Sequence, residues 1–260
     1  MNYFIEGLQG SGKSTLVQRI SDMKPDHRAV REGEYSPIEL AWCARMEEAA
    51  YRAMLARYPD MRGAIEEKTH SEGDHKIVCY TKVRTENRAF YRDLEQYEIY
   101  NGRVSYEDFQ SIILKRFAAW KQDGMIFECS LFQNIMEDMI LFRCASDAQI
   151  LAFYKRIQSA LAGKDYHILY LKTADIAGNL NAIRKERSDA SGNELWFPMM
   201  LEYLHASPCA KAKGLKGEDG LIAHFKHRQA LELRICEELF SDRCTVLASK
   251  GYTDAELAAL

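Results

Sequence analysis

The chain has 260 residues, 47% of them hydrophobic, with 35 basic and 38 acidic side chains and a formal net charge of −3. That length supports one substantial α/β domain, and near-neutral charge without a basic run argues against a nucleic-acid polymer or a membrane surface as the main partner. Small molecules are the expected partners, and oligomeric state, a homodimer included, is left open.

The opening stretch Asn2-Tyr3-Phe4-Ile5-Glu6 is β-prone and runs into Gly7-Leu8-Gln9-Gly10-Ser11-Gly12-Lys13-Ser14-Thr15. Glycines at this spacing, followed by Lys and Ser, form a P-loop: backbone amides of Gly7, Gly10, Ser11, Gly12, Lys13, Ser14 and Thr15 wrap a polyphosphate that side chains would block. Lys13 is expected to reach the β and γ phosphates and Ser14 to ligate Mg²⁺, while the helix that follows (Leu16, Val17, Ile20, Met23) turns its positive end to the anion. ATP and Mg²⁺ are thus the expected cofactors.

After Pro25, Arg28 to Glu32 reads as a second strand, ending beside Gly33. Side chains at the carboxyl ends of parallel strands face a ligand crevice, which leaves Glu32 either there or in a solvated loop. Ser36-Pro37-Ile38-Glu39 has the pattern of a capped helix start, with Ile38, Trp42, Met46, Ala49, Ala53 and Ala56 recurring at helical steps up to Pro59. Residues from about 60 to 102 contain a β-prone run, Ile77 to Val83, and Tyr91, Tyr97 and Tyr100; they read as an insertion, either a substrate-covering subregion or a packed hairpin or helix pair. Ser105 and Asp108 open a helix with Phe109, Ile113, Phe117 and Trp120 on one face and Gln110 and Arg116 off it.

Met125 to Glu128 is a third strand with a carboxylate at its end, placing Glu128 as a second Mg²⁺ anchor acting through water. Helical runs from about Phe132 to Cys144 and Asp147 to Leu161 lead to a fourth strand, His167 to Leu171. From Asp175 a helix carries Arg184 and Arg187, spaced three apart so that two guanidinium forks could close over one phosphoryl group. Ser207 to Gly220, rich in Gly and Lys, reads as a flexible basic loop within a second insertion over about 189–220. His224 and His227 follow on a helix to about Phe240, as packing or surface residues rather than metal ligands, and Cys244 to Leu247 forms a fifth strand.

The cysteines at 43, 79, 129, 144, 209, 236 and 244 include no CxxC pair, so reduced, mostly buried thiols are expected. With no apolar run of membrane-spanning length, and a first strand that begins at residue 2, a soluble cytoplasmic protein is expected.

This order of elements resembles the nucleoside and nucleotide kinase branch of P-loop proteins. Phe4 to Thr15 is similar to the N-terminus of thymidylate kinases and deoxynucleoside kinases. The resemblance implies a three-layer α/β/α sandwich with a five-stranded parallel sheet, organised as a single domain over residues 1–260 with helical lid and insertions. It implies a role for Glu32 on the acceptor hydroxyl, for Phe109-Gln110 on the base, and for Arg184 and Arg187 as the lid; Gln110 and Arg116 are the candidate substrate residues of their helix. Where these families carry Arg after the acidic end of the third strand, this chain has Glu128-Cys129-Ser130. The expected activity is transfer of the ATP γ-phosphoryl group to a small acceptor, a nucleoside or nucleoside monophosphate first. A regulatory NTPase, a nucleotide-holding module and a kinase of a non-nucleotide molecule are the alternatives; no Asn-Lys-x-Asp motif marks a GTPase.

Overall fold

The computed structural model describes residues 1–258. In chain order its elements are β1 (Asn2–Gly7), α1 (Lys13–Met23), β2 (Arg28–Val30), β3 (Ala44–Glu47), α2 (Glu48–Arg57), α3 (Arg62–Glu67), β4 (Thr69–Glu72), β5 (His75–Val78), α4 (Arg88–Glu95) and α5 (Tyr106–Ala119). Then follow β6 (Met125–Glu128), α6 (Gln133–Glu137) with a π turn (Asp138–Phe142), α7 (Asp147–Ala160), β7 (Tyr166–Lys172), α8 (Ile176–Glu186), α9 (Trp196–Ala206), α10 (Pro208–Lys213), α11 (Gly217–Leu239), β8 (Cys244–Ala248) and α12 (Asp254–Ala258).

The chain divides into two compact units, one of Met1–Ala29 with Lys121–Leu260, the other of Val30–Trp120. The first carries a five-stranded parallel sheet in the order β2-β6-β1-β7-β8, flanked by helices as an α/β/α sandwich. All six residues of β1 are buried, as a central strand covered on both faces requires. Its alternation separates the two layers. Tyr3 and Ile5 pack with Leu16, Val17 and Ile20 of α1 and with Leu257 of α12. Phe4 points the other way, with ring centroids 5.3 Å from Phe127 and 5.7 Å from Tyr166, and Tyr166 in turn meets Phe240. Register aligns Ile5 with Glu128 and Gly7 with Leu171, so the ends of β1, β6 and β7 share one sheet edge.

The second unit holds an antiparallel sheet, β3-β5-β4. Its core joins Ala44, Met46 and Val78 to Tyr51, Met54 and Leu55 of α2, Ile65 of α3 and Phe90 and Leu94 of α4. α5 starts as expected, with the Ser105 hydroxyl accepting from Asp108 N–H at 3.0 Å and Phe109, Ile113, Phe117 and Trp120 buried.

Three sequence expectations need correction. No helix begins at Ser36. Its hydroxyl does accept from Ile38 and Glu39 N–H (3.3 and 3.2 Å), but the Glu39 carboxylate then takes Ala41 N–H (2.8 Å) and Tyr100 O–H (2.5 Å), closing a local turn. Trp42 follows at φ 62°, and Ala44 to Glu47 pair with β5, so the helix is delayed to Glu48.

The supposed loop from Ser207 to Gly220 is mostly helical. The Ser207 hydroxyl caps α10 through Ala210 N–H, Gly214 ends it in the left-handed conformation, and α11 begins at Gly217. Finally, Cys144 and Cys209 are joined in a disulfide, their Cα atoms 5.2 Å apart across 65 residues of sequence, while Cys43, Cys79, Cys129 and Cys236 are buried as expected. Among the described residues no helix is long and apolar enough to cross a membrane.

Phe4 is fully buried between strand and helix layers, so Phe4→Ala is expected to cost about 3–5 kcal/mol. Urea denaturation of the two proteins would measure it; a loss under about 1 kcal/mol would contradict this packing.

Candidate functional site

The first candidate site forms where β1 turns into α1. Gly7, Gly10 and Gly12 have φ of 139°, 72° and 95°, a path that side chains rarely follow. A Cβ on Gly7 would stand 2.7 Å from Leu171 O, and one on Gly10 would overlap the Ile183 side chain of α8. Glycine is thus required both by conformation and by the closeness of β7 and α8. Asn179 of α8 also donates to Gln9 O at 2.9 Å, and Ser249, after β8, donates to Ser11 O at 2.8 Å.

α1 has Gly12 as its N-cap residue and no side-chain cap. Its first intrahelical bond runs from Leu16 N–H to Gly12 O (3.0 Å), so the amides of Lys13, Ser14 and Thr15 at the helix start lie outside the intrahelical ladder. Uncapped amides at the positive end of a helix make an anion-binding surface. The Lys13 ammonium is buried beneath it, donating to Gly7 O (2.9 Å) and Leu8 O (2.7 Å). Lys13 was expected to reach for phosphate; here it grips its own loop, which defines the loop's curvature.

Ser14 and Glu128, singled out separately in the sequence, do come together. The Ser14 hydroxyl donates to Glu128 Oε1 at 2.5 Å, because the β1–β6 register sets Glu128 level with the strand that feeds the loop. The pair offers oxygen donors only, which suits a hard cation such as Mg²⁺ that binds few protein groups and retains water. No group of three or more His, Cys, Asp and Glu side chains suited to a metal occurs among the described residues.

The arginines of α8 are engaged by side chains that follow them in the chain. Arg184 donates to Glu194 and Glu218, both at 2.8 Å, and rests on the Phe197 ring. Arg187 caps the helix end and lies over Trp196. Both guanidinium groups thus lie over neighbouring rings at the start of α9. Their helix nonetheless packs on the loop through Ile183.

Glu32, Gln110 and Arg116 belong to the other unit. Glu32 lies two residues beyond β2 and accepts from Trp42 Nε1 at 2.9 Å. Gln110 is partly buried on α5. Arg116 is buried and engages Glu72 and the Ser36 carbonyl, and Glu72 also receives the Tyr35 hydroxyl at 2.7 Å. That pairing ties Arg116 into the framework of its own unit.

Sequence reasoning missed the charged network under the loop. Arg228 of α11, fully buried, donates to Glu232 (2.9 Å), Glu137, Gln9 Oε1 (3.0 Å) and Gly7 O (3.3 Å). Glu232 accepts the Tyr170 hydroxyl (2.6 Å), and His224 Nε2 donates to Glu137 at 2.7 Å. Burial alone would raise the Glu137 carboxyl, but His224 and Arg228 outweigh it and hold it down at about 2. The available signal was the four-residue spacing of His224, Arg228 and Glu232, which reads more naturally as a solvated stripe.

Glu6 on β1 accepts Leu131 N–H (2.6 Å) and Phe132 N–H (3.2 Å), yet burial pushes its carboxyl up to about 8. Comparison of the chain with family models and with curated proteins finds no match to either.

Glu6 makes stability depend on pH. Above its ordinary value of 4.5 the unfolded chain gives up the Glu6 proton while the folded one keeps it to about 8. The folded state therefore loses stability as pH rises through that window, by up to about 5 kcal/mol for this group. Glu6→Gln should flatten the profile of urea midpoint against pH; an equally steep fall in the variant would exclude Glu6 as its source.

Proposed function

We propose that this protein is an ATP-dependent phosphotransferase that moves the γ-phosphoryl group to a small acceptor, a nucleoside or nucleoside monophosphate first. The observation that carries this reading is the Ser14–Glu128 contact of 2.5 Å at the uncapped start of α1. An amide-lined loop alone binds anions. A hydroxyl and a carboxylate converging beside it supply the oxygen pair that a magnesium–nucleotide complex requires.

In this reading the loop amides and Lys13 hold the β and γ phosphates, with the ammonium exchanging its two carbonyl partners for phosphate oxygens. Mg²⁺, when bound, would neutralise charge on those phosphates, with Ser14 as a direct ligand and Glu128 acting through water. Phosphoryl transfer needs little covalent help from a protein, so positioning and fixed charge supply most of the rate. Arg228 contributes by fixing the Gly7 carbonyl and Gln9 from below. Arg184 could serve the transferring group only after leaving Glu194 and Glu218, which makes it a mobile lid residue at most.

The resemblance assigns Glu32 to the acceptor hydroxyl, and cytoplasmic ATP fits such an activity. A second reading, a module that holds nucleotide without turnover, is favoured by Cys129, which stands where the resembled families place arginine.

Incubation with ATP, Mg²⁺ and a panel of nucleosides, nucleoside monophosphates and small alcohols, followed by phosphorus NMR, should yield a phosphorylated acceptor. Lys13→Ala should lower the rate by about 10²-fold or more while circular dichroism stays unchanged. Hydrolysis independent of any acceptor would favour a regulatory NTPase, and tight binding with no product would favour the holding module.

A further inference from the structure

On the α10–α11 side of the first unit lies a cavity of ≈ 310 Å³, at the small end of the range for ligand sites. Ile140 and Leu141 of the π turn, Ala210 of α10 and Leu215 give it apolar walls. Its polar lining is entirely basic: Lys213, His224 and His227, with no Asp or Glu.

His224 makes this more than a gap in the packing. Its ring is 2% exposed, Nε2 is committed to Glu137, and Nδ1 is buried with no hydrogen-bond partner among the described residues. A buried polar atom left without a partner is destabilising, and a ligand atom that met it would recover that loss. Lys213 is exposed, and His227 is bound to Asp147 at 2.8 Å, so the cavity has a basic rim around apolar walls and a single buried polar atom.

We propose that this cavity binds a small monocarboxylate with an apolar body, its carboxyl group at His224 Nδ1 and Lys213, and that occupancy is felt at the phosphate loop. The apolar walls take the body. A single proton between the carboxyl oxygen and Nδ1 completes the bond, whichever of the two brings it. A phosphate head fits worse, since one buried donor and one surface ammonium cannot replace the hydration of a dianion. From His224 the contacts continue through Glu137 and Arg228 to Gly7 O and Gln9, so ligand binding pulls on the same side chains that support the loop. Only this second half of the proposal rests on nucleotide binding at the loop.

Calorimetric titration of the full chain with octanoate, without nucleotide, tests the site. Octanoate should bind, and octanol, with the same body and no charge, should bind at least about tenfold more weakly. Lys213→Ala, a surface change, should weaken octanoate several-fold, and Ala223→Trp, at an exposed lining position, should abolish binding without disturbing the fold. No binding of octanoate, equal binding of octanol, or full binding by Ala223→Trp would overturn the site. Octanoate should also shift the dissociation constant of magnesium–ATP, and reciprocally. An unchanged constant in a protein that binds both would overturn the coupling alone, whereas failure to bind ATP at all would count against the phosphotransferase reading and leave the site standing.

Discussion

A guanidinium group with no access to water tolerates no missing partner, and Arg228 is such a group. Removing either carboxylate beside it would leave an uncompensated charge in the interior at a cost of about 3–5 kcal/mol. Two of its N–H groups are satisfied by the glycine loop itself, through Gly7 O and Gln9. The loop is therefore built around a buried cation. With Lys13 on the Gly7 and Leu8 carbonyls, two positive side chains hold the backbone carbonyls inward and leave the amides pointing out. Glu6, next to the loop on β1, fits the same electrostatics in reverse: buried near Glu232, it stays protonated well above the usual carboxylate range.

The parts of this arrangement that were legible in the sequence are those whose cause is local. Glycine spacing needs only backbone geometry, and a strand carrying a carboxylate at its end needs only the rule for parallel sheets; hence the sandwich, the loop and the Ser14–Glu128 pair could all be anticipated. What depends on partners far along the chain could not. Arg228 reaches residues 91 and 219 positions away, and nothing in its neighbourhood separates it from an arginine on a wet helix face. Cys144 and Cys209 likewise have no spacing signal.

Local rules also failed where two of them competed. Ser36 has the chemistry of a helix cap and does bind the amides that a cap would bind. Glu39 in the same motif has an alternative in Ala41 N–H and the Tyr100 hydroxyl, and the demand of β5 for a partner strand comes immediately after. Tertiary pairing decided the outcome. The α8 arginines illustrate the converse: their helix was foreseen, but the aromatic side chains of Trp196 and Phe197, which collect both guanidinium groups, fell inside a segment read as insertion.

The contact between Gly10 and Ile183 sets how closely two stretches far apart in the chain approach each other. Any side chain at position 10 would have to displace α8, whereas trimming Ile183 would open room above the loop. Because the backbone at position 10 is also left-handed, natural variants of this chain should keep glycine there whatever the size of residue 183.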